Sequence, residues 1–219
     1  MKLPSLRDKR LAEFVGILLG DGSIGIYRCK NGNRTTTQYR VKISLNSKDE
    51  LIYASFIENL LEKLFGIRPF RSIRKNENTL DLLIFGRTFV NFLMNVIGLS
   101  LSPKKDNAII PKFYMRNKLE LSILRGYFDT DGCVAIVNNN GTLYPRLEMK
   151  ICRSPMQSQF IEILERNNFR FGAYVIDNDN IRVQLNGLKE LKKWNELVGF
   201  SNSKNSERYR KMVARVGFS

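Results

Sequence analysis

Histidine is absent from the 219 residues. Serine-triad hydrolases, zinc hydrolases and His-Asn-His nucleases all need an imidazole base or ligand, so they are excluded. Any catalysis has to use carboxylates, lysines, tyrosines or a metal. Cysteine is scarce: Cys29, Cys133 and Cys152 are odd in number, far apart and in no CxxC pair. That argues against a disulfide framework or a zinc site, and the three read as reduced core or strand residues. No apolar run reaches the roughly 18 residues a membrane span needs, and no basic amphipathic helix stands alone. The opening MKLPSLRDKRLAEF has no apolar signal-peptide core, so a cytoplasmic or nucleoid location is expected, organellar in a eukaryotic host. In that setting Asn33-Arg34-Thr35 and Asn140-Gly141-Thr142 are chance matches to a glycosylation acceptor. Acids are also in short supply: 21 Asp plus Glu face 36 Lys plus Arg, a net charge of +15. Such self-repulsion is usually tolerated because the partner is a polyanion, which puts nucleic acid first among partners.

What is present is a sequence written twice. LAEFVGILLGDGSI, residues 11–24, is matched by LSILRGYFDTDGCV, residues 121–134. Downstream, Arg40-Val41-Lys42-Ile43 with Phe56-Ile57-Glu58 recurs as Arg146-Leu147-Glu148-Met149 with Phe160-Ile161-Glu162. Residues 91–102, NFLMNVIGLSLS, recur as residues 192–203, KKWNELVGFSNS. The offset shrinks along the chain, as trimmed loops between preserved elements would make it.

Periodicity predicts the elements of each copy. Asp8 can cap a helix running to about Asp21, with Gly22 as its stop. Val41, Ile43 and Leu45 then alternate with Arg40, Lys42 and Ser44, predicting a strand with one apolar and one basic face. Residues 49–65 carry helical spacing, residues 68–75 and 80–86 read as strands about a turn, and residues 87–97 as a last helix. The second copy repeats this with strands near 133–138, 145–152, 170–177 and 181–186. The expected fold is α+β: two pseudosymmetric α-β-β-α-β-β-α repeats, each a four-stranded antiparallel saddle-like sheet with helices on one face. The repeats are expected at 1–103 and 118–219, joined by a connector over 104–117 that holds Pro103's neighbours Lys104 and Lys105 and ends beyond Pro111. The helix-free faces are expected to lie in a major groove. They would carry Arg28, Lys30, Arg34, Arg40, Lys42, Arg71, Arg74, Lys75, Arg146, Lys150, Arg182 and Gln184, where Arg can read guanine and Gln adenine.

Ala12, Gly16 and Gly20 recur every fourth residue, and Ser122, Gly126 and Thr130 repeat that stripe. Small residues at this spacing let two helix backbones approach closely, so the two helices are expected to pack together. Asp21 and Asp131 follow directly, at helix C-termini where the macrodipole disfavours negative charge. Paired carboxylates without histidine suit a hard divalent cation such as Mg²⁺, and metal-assisted phosphodiester cleavage is the chemistry that follows. A lone Asp-Gly is ordinarily a turn; two copies ending matched helices argue otherwise. Asp129 has no acidic counterpart at Leu19 and reads as accessory or structural, not catalytic. Gly25-Ile26-Tyr27 and Glu148-Met149-Lys150, which echo fragments of other nuclease motifs, read as strand. The basic tail around Arg208, Arg210, Lys211 and Arg215 reads as a solvated end, and Trp194, at helical spacing with Leu191 and Val198, as core.

The segments from Phe14 to Gly22 and from Leu124 to Gly132 resemble the paired motifs of the LAGLIDADG homing endonucleases, over nearly the whole chain. The resemblance implies a monomer cutting a long pseudopalindromic DNA duplex to leave short 3′ overhangs. Asp21 and Asp131 would be metal ligands, joined by the backbone at Gly20 and Thr130. Mg²⁺ would be the metal, with Mn²⁺ able to substitute and Ca²⁺ supporting binding without cutting. It also implies a polar strand-end residue near the metals, matched by Asn46 and less well by Cys152 or Arg153, and active-site lysines at Lys104 or Lys105 and at Lys204. An intron-encoded setting goes with it. Two alternatives share the scaffold: an RNA maturase acting on intron RNA, and a DNA-binding regulator that would have lost the acids. Splicing residues of an intein are not seen.

Overall fold

In the computed structural model, every residue is described except 33, 117, 140, 141 and 217–219, together with the side chains of 31, 139, 142, 143, 215 and 216. The two glycosylation-like sequons and Arg215 therefore fall at least partly outside the described residues.

Helix α1, Lys9–Leu19, starts where the Asp8 side chain accepts the Arg10 N–H at 2.8 Å, an N-cap of the kind that stabilises a helix by about 1 kcal/mol. It stops two residues before the expected Gly22: Gly20 is the cap, and its N–H reaches the Gly16 carbonyl. Strand β1, Gly22–Asn31, pairs antiparallel with β2, Arg34–Asn46, from Gly22 opposite Ile43 outward. Helix α2, Leu51–Phe65, then crosses over, and β3, Phe70–Ile73, and β4, Thr79–Phe85, complete a sheet of order β1-β2-β4-β3. Helix α3, Arg87–Asn91, continues as a π-helical segment, Phe92–Ile97.

The second repeat runs through α4, Glu120–Asp131; β5, Gly132–Asn139; β6, Thr142–Ile151; α5, Met156–Arg166; β7, Gly172–Val175; β8, Ile181–Asn186; and α6, Leu188–Leu197. Its sheet order, β5-β6-β8-β7, matches the first. Val41, Ile43 and Leu45 in β2 and Leu80, Leu82 and Ile84 in β4 form one buried pleat, with α3 against β2; Leu147, Met149, Val183 and Leu185 do the same in the second repeat, with α6 against β6 and β8. Each such side chain contributes roughly 1.5–3 kcal/mol by leaving water. Among the described residues, the opposite pleat has no buried apolar row, and its Phe70 and Phe85 are exposed.

The basic tail is not a solvated end. It forms α7, Ser203–Val216, which lies along β5, with Asn205 and Met212 buried and the Tyr209 ring 5.8 Å from Phe200. Asn205, Tyr209 and Met212 sit at helical spacing, so the cations between them occupy the outer face while this stripe packs. Trp194 is fully buried against Phe128 and Phe169.

The two repeats meet along α1 and α4. A Cβ on Gly16 would overlap the carbonyl oxygen of Ile123, and one on Gly126 would overlap that of Glu13. Only hydrogen at these positions permits the approach, which offsets the roughly 1 kcal/mol that glycine costs within a helix. A partly buried ion pair, Arg125 to the buried Glu13 at 2.6 Å, bridges the same interface.

Candidate active site and nucleic-acid face

The close packing of α1 and α4 brings their C-terminal ends side by side. A Cβ on Gly20 would overlap the Thr130 hydroxyl and sit 3.1 Å from an Asp131 carboxylate oxygen. Asp131 thus reaches the end of the opposite helix, beside Asp21. The backbone holds both acids: the Asp21 carbonyl accepts the Ser44 N–H of β2 at 3.2 Å, and Asp131 passes directly into Gly132 of β5.

Crowding this many carboxylates has an electrostatic consequence. Burial pushes the Asp21 carboxyl up to about 7, with the charges of Asp131 and then Glu50 adding to it and Lys104 and Lys204 opposing. Burial likewise raises Asp131 to about 6 against Lys104 and Lys150; water on the open side of that residue tempers the rise. Both acids are held at a cost in the metal-free state, a condition that an added cation relieves.

The lysines near them come from beyond the last strand of each sheet: Lys104 precedes α4, and Lys204 is in α7. Lys104 donates its ammonium to the Gly20 carbonyl, and burial lowers its pKa while Asp131 and Asp21 hold it up. Of the two expected candidates, Lys104 or Lys105, Lys104 is the one at the acids: its charge acts on both Asp21 and Asp131, while Lys105 is exposed. The chain turns here, with the Asn107 and Ala108 N–H groups donating to the Lys104 carbonyl at 3.0 and 2.8 Å, which leaves the Lys104 side chain partly buried and that of Lys105 exposed. Lys204, at the start of α7, lies 3.7 Å from Glu50.

Glu50 is the residue that sequence reasoning missed. It stands at the α2 N-terminus and is almost fully buried. Its carboxylate accepts the Asn46 N–H at 2.8 Å and the Asn202 side-chain amide at 3.3 Å, joining the first repeat to the second. An acid before a helix ordinarily reads as a favourable helix-end charge, so no sequence signal separated it. Asn46, expected to face the metals, instead uses its side-chain oxygen to accept the Lys48 and Asp49 N–H groups, at 2.9 and 3.2 Å. In the second repeat Arg153 is paired with Asp106 and Asp179. Cys152 lies 3.9 Å from the Ser154 hydroxyl, and all three cysteines are free. Asp129 is buried and accepts from Ser201 N, Asn202 N and the Asn205 side chain, which organises the entry to α7.

The pleat sorts the proposed nucleic-acid residues. Arg34, Arg40 and Lys42 in β2, Arg146 and Lys150 in β6, and Arg182 and Gln184 in β8 alternate with the core residues and so lie on the helix-free faces. Arg40 is stacked over Tyr27, 4.5 Å from the ring centroid. Arg74 is on this side too, but Asp81 takes its guanidinium at 2.8 Å. Lys75 is in the exposed β3–β4 turn. Three placements are corrected. Arg28 and Lys30 share the pleat of Ile24, and Arg71 shares that of Leu82, so none is on the helix-free face. Arg71 reaches back to Glu58 of α2 at 2.6 Å.

Among the described residues, no group of three or more acid, cysteine or histidine side chains could hold a metal. The donor set at the motif ends is two carboxylates with backbone carbonyls. The cationic Lys104 already seated on the Gly20 carbonyl between them marks a place that attracts positive charge. An oxygen-binding divalent ion fits those donors. No described helix is long and apolar enough to cross a membrane.

No protein-family model matches the chain. The replication factor C small subunit of Methanocaldococcus jannaschii is 26% identical over 207 residues, covering 89% of this chain and 10% of that protein. From the same organism, the uncharacterized protein MJ1054 is 24% identical over 226 residues, covering 96% and 24%. The DNA polymerase of Thermococcus kodakarensis is 26% identical over 218 residues, covering 93% and 12%. The chain thus spans about a tenth to a quarter of the length of these curated relatives. Among solved structures, the LAGLIDADG homing endonuclease I-LtrWI bound to target DNA aligns with a TM-score of 0.65 at 12% identity, covering 97% of this chain and 92% of that one. I-DmoI in complex with DNA and Mn gives 0.61 at 16% identity, covering 89% and 98%. Identities this low establish a shared fold.

Proposed function

Because this chain has the fold of the LAGLIDADG homing endonucleases, with both motif helices in one polypeptide, we propose that it is a site-specific double-stranded DNA endonuclease. The observation that carries the reading is the meeting of Asp21 and Asp131 at the ends of two touching helices, between two sheets whose helix-free faces are rich in Arg and Lys. A net charge of +15 supports a phosphate-bearing partner. The target would be a long pseudopalindromic duplex, since each repeat offers one sheet to one half-site, and cleavage would leave short 3′ overhangs. A single chain supplies both halves, so a monomer is the working form. The repeats are taken as residues 1–103 and 118–219, with 104–117 crossing between them.

Asp21 and Asp131 would hold the divalent ion, with the backbone carbonyls of Gly20 and Thr130 as further donors; Mg²⁺ is the expected ion and Mn²⁺ a substitute. When bound, the ion supplies Lewis-acid stabilisation of the phosphate and a more acidic water. The protein's part is positional and electrostatic. Lys104 and Lys204 bring positive charge to the two sides of the acid pair, where a phosphorane would accumulate negative charge. Glu50 and Asn202 tie the repeats so that the two acids keep their spacing.

The test is to select bound and cut duplexes from a randomised library, then compare Asp21→Asn and Asp131→Asn. Binding in Ca²⁺ should survive in both variants, and double-strand cutting in Mg²⁺ should fall by at least about 100-fold, each step of ten being about 1.4 kcal/mol in the barrier. Full cutting by either variant would refute the assignment. An RNA maturase on this scaffold would need neither acid.

A further inference from the structure

The two sheets can be compared row by row from the acids outward. Gly22 follows Asp21 and faces Ile43, while Gly132 follows Asp131 and faces Met149. One step further, the helix-free pleat presents Ser23, Lys42 and Leu83 in the first repeat and Cys133, Glu148 and Gln184 in the second. In the next row on that pleat, Arg40 is registered with Gly25 and Phe85, and Arg146 with Ala135 and Asn186. Arginine therefore occupies the outer row of both repeats. The inner row inverts charge, with Lys42 matched by Glu148.

A carboxylate on a face meant for a polyanion weakens phosphate attraction, so its presence needs a local return. Two acids project from these faces, and they differ in how they are held. Asp81 is neutralised: Arg74 reaches it at 2.8 Å and the Ser44 hydroxyl at 2.6 Å. Glu148 is half-exposed, and no described residue forms an ion pair with it. Gln184 donates its side-chain amide to one Glu148 oxygen at 3.1 Å, which fixes the carboxylate and leaves the other oxygen to accept. Two neighbours on the same strand face, Arg146 and Lys150, flank it and offset its repulsion from phosphate.

In the major groove a carboxylate, which only accepts hydrogen bonds, matches the cytosine N4 amino group. Adenine also offers an amino group, but its neighbouring N7 is an acceptor that a carboxylate oxygen opposes. We propose that Glu148, oriented by Gln184, reads cytosine through its N4 amino group in the half-site under the second repeat. At the corresponding position under the first repeat, Lys42 favours guanine. The target therefore departs from palindromy at this row and keeps guanine-reading arginines in the next. This rests on the endonuclease reading above.

The experiment is binding selection of a randomised duplex library by the full chain in Ca²⁺, for wild type, Glu148→Gln and Glu148→Lys. Wild type should favour cytosine at one position of one half-site by roughly ten-fold or more over each other base. Glu148→Gln should flatten that position alone. Glu148→Lys should turn it toward guanine, making the half-sites more alike, and provides a gain of preference that a misfolded variant could not mimic. An unchanged cytosine preference in both variants, or none in wild type, overturns the assignment. A library from which wild type retains no duplex at all would instead remove the endonuclease reading, and this inference with it.

Discussion

Replacing Asp21 by Asn should stabilise the metal-free protein, and only where Asp21 would otherwise be ionised. Its carboxyl is raised from 3.8 to about 7, mainly by burial and then by Asp131 and Glu50. A raised carboxyl favours the folded state fully when protonated, below 3.8, and that advantage is lost as pH climbs through about 7. At about 1.36 kcal/mol per pH unit the loss reaches about 4 kcal/mol, and water at the half-buried side of the residue brings it to a few kcal/mol. Asn keeps the shape without the charge. Urea unfolding in EDTA should find Asp21→Asn more stable than wild type by about 2–4 kcal/mol at pH 8 and equal to it at pH 4. In a thermal scan that is roughly 2–4 °C for each kcal/mol in a chain this long. Adding Mg²⁺ at pH 8 should narrow the gap, because the ion stabilises only the chain that keeps both acids. A variant that is less stable than wild type at pH 8, or a gap that is the same at pH 4 and pH 8, would refute the electrostatic account and return Asp21 to a structural role.

The glycine contact gives a second test: Gly126→Ala should cost about 1–3 kcal/mol by overpacking against the Glu13 carbonyl, read as a lower urea midpoint. No loss there would mean that α1 and α4 are further apart. For the lysines, Lys104→Met should lower single-turnover cutting at least ten-fold while Lys105→Met leaves it near wild type; the reverse pattern would contradict the placement of Lys104 on Gly20. Duplex affinity should fall steeply with salt, with a log–log slope of several units between about 50 and 200 mM, and a slope near zero would contradict a phosphate-bound face.

The repeated elements were legible because they depend on short-range patterns. Helical and strand periods, the small-residue stripe and the acid at the end of each motif helix are all written within a dozen residues, and each is seen in the folded chain. The strict alternation of β2 already separated Arg40 and Lys42 from Val41 and Ile43. Alternation from Ile24 through Ile26 also places Arg28 and Lys30 on the core pleat, but Ile26 is already exposed, so the burial that marks that pleat has run out before either residue. Arg71 turned to Glu58, on a helix some 13 positions earlier, and that partner is set by packing. α7 packs through Asn205, Tyr209 and Met212, whose spacing is diluted by the cations around them. The choice of Lys104 over Lys105, and the role of Glu50, depend on which side chain of an irregular segment points inward. That direction is decided by contacts between residues far apart in the chain: Lys104 meets Gly20, and Glu50 meets Asn202, 152 positions away. The sequence by itself determined two matched halves and the two acids that end their motif helices; the tertiary structure alone decided which neighbours complete the site, because local periodicity carries no information about what two distant segments bring to the same point.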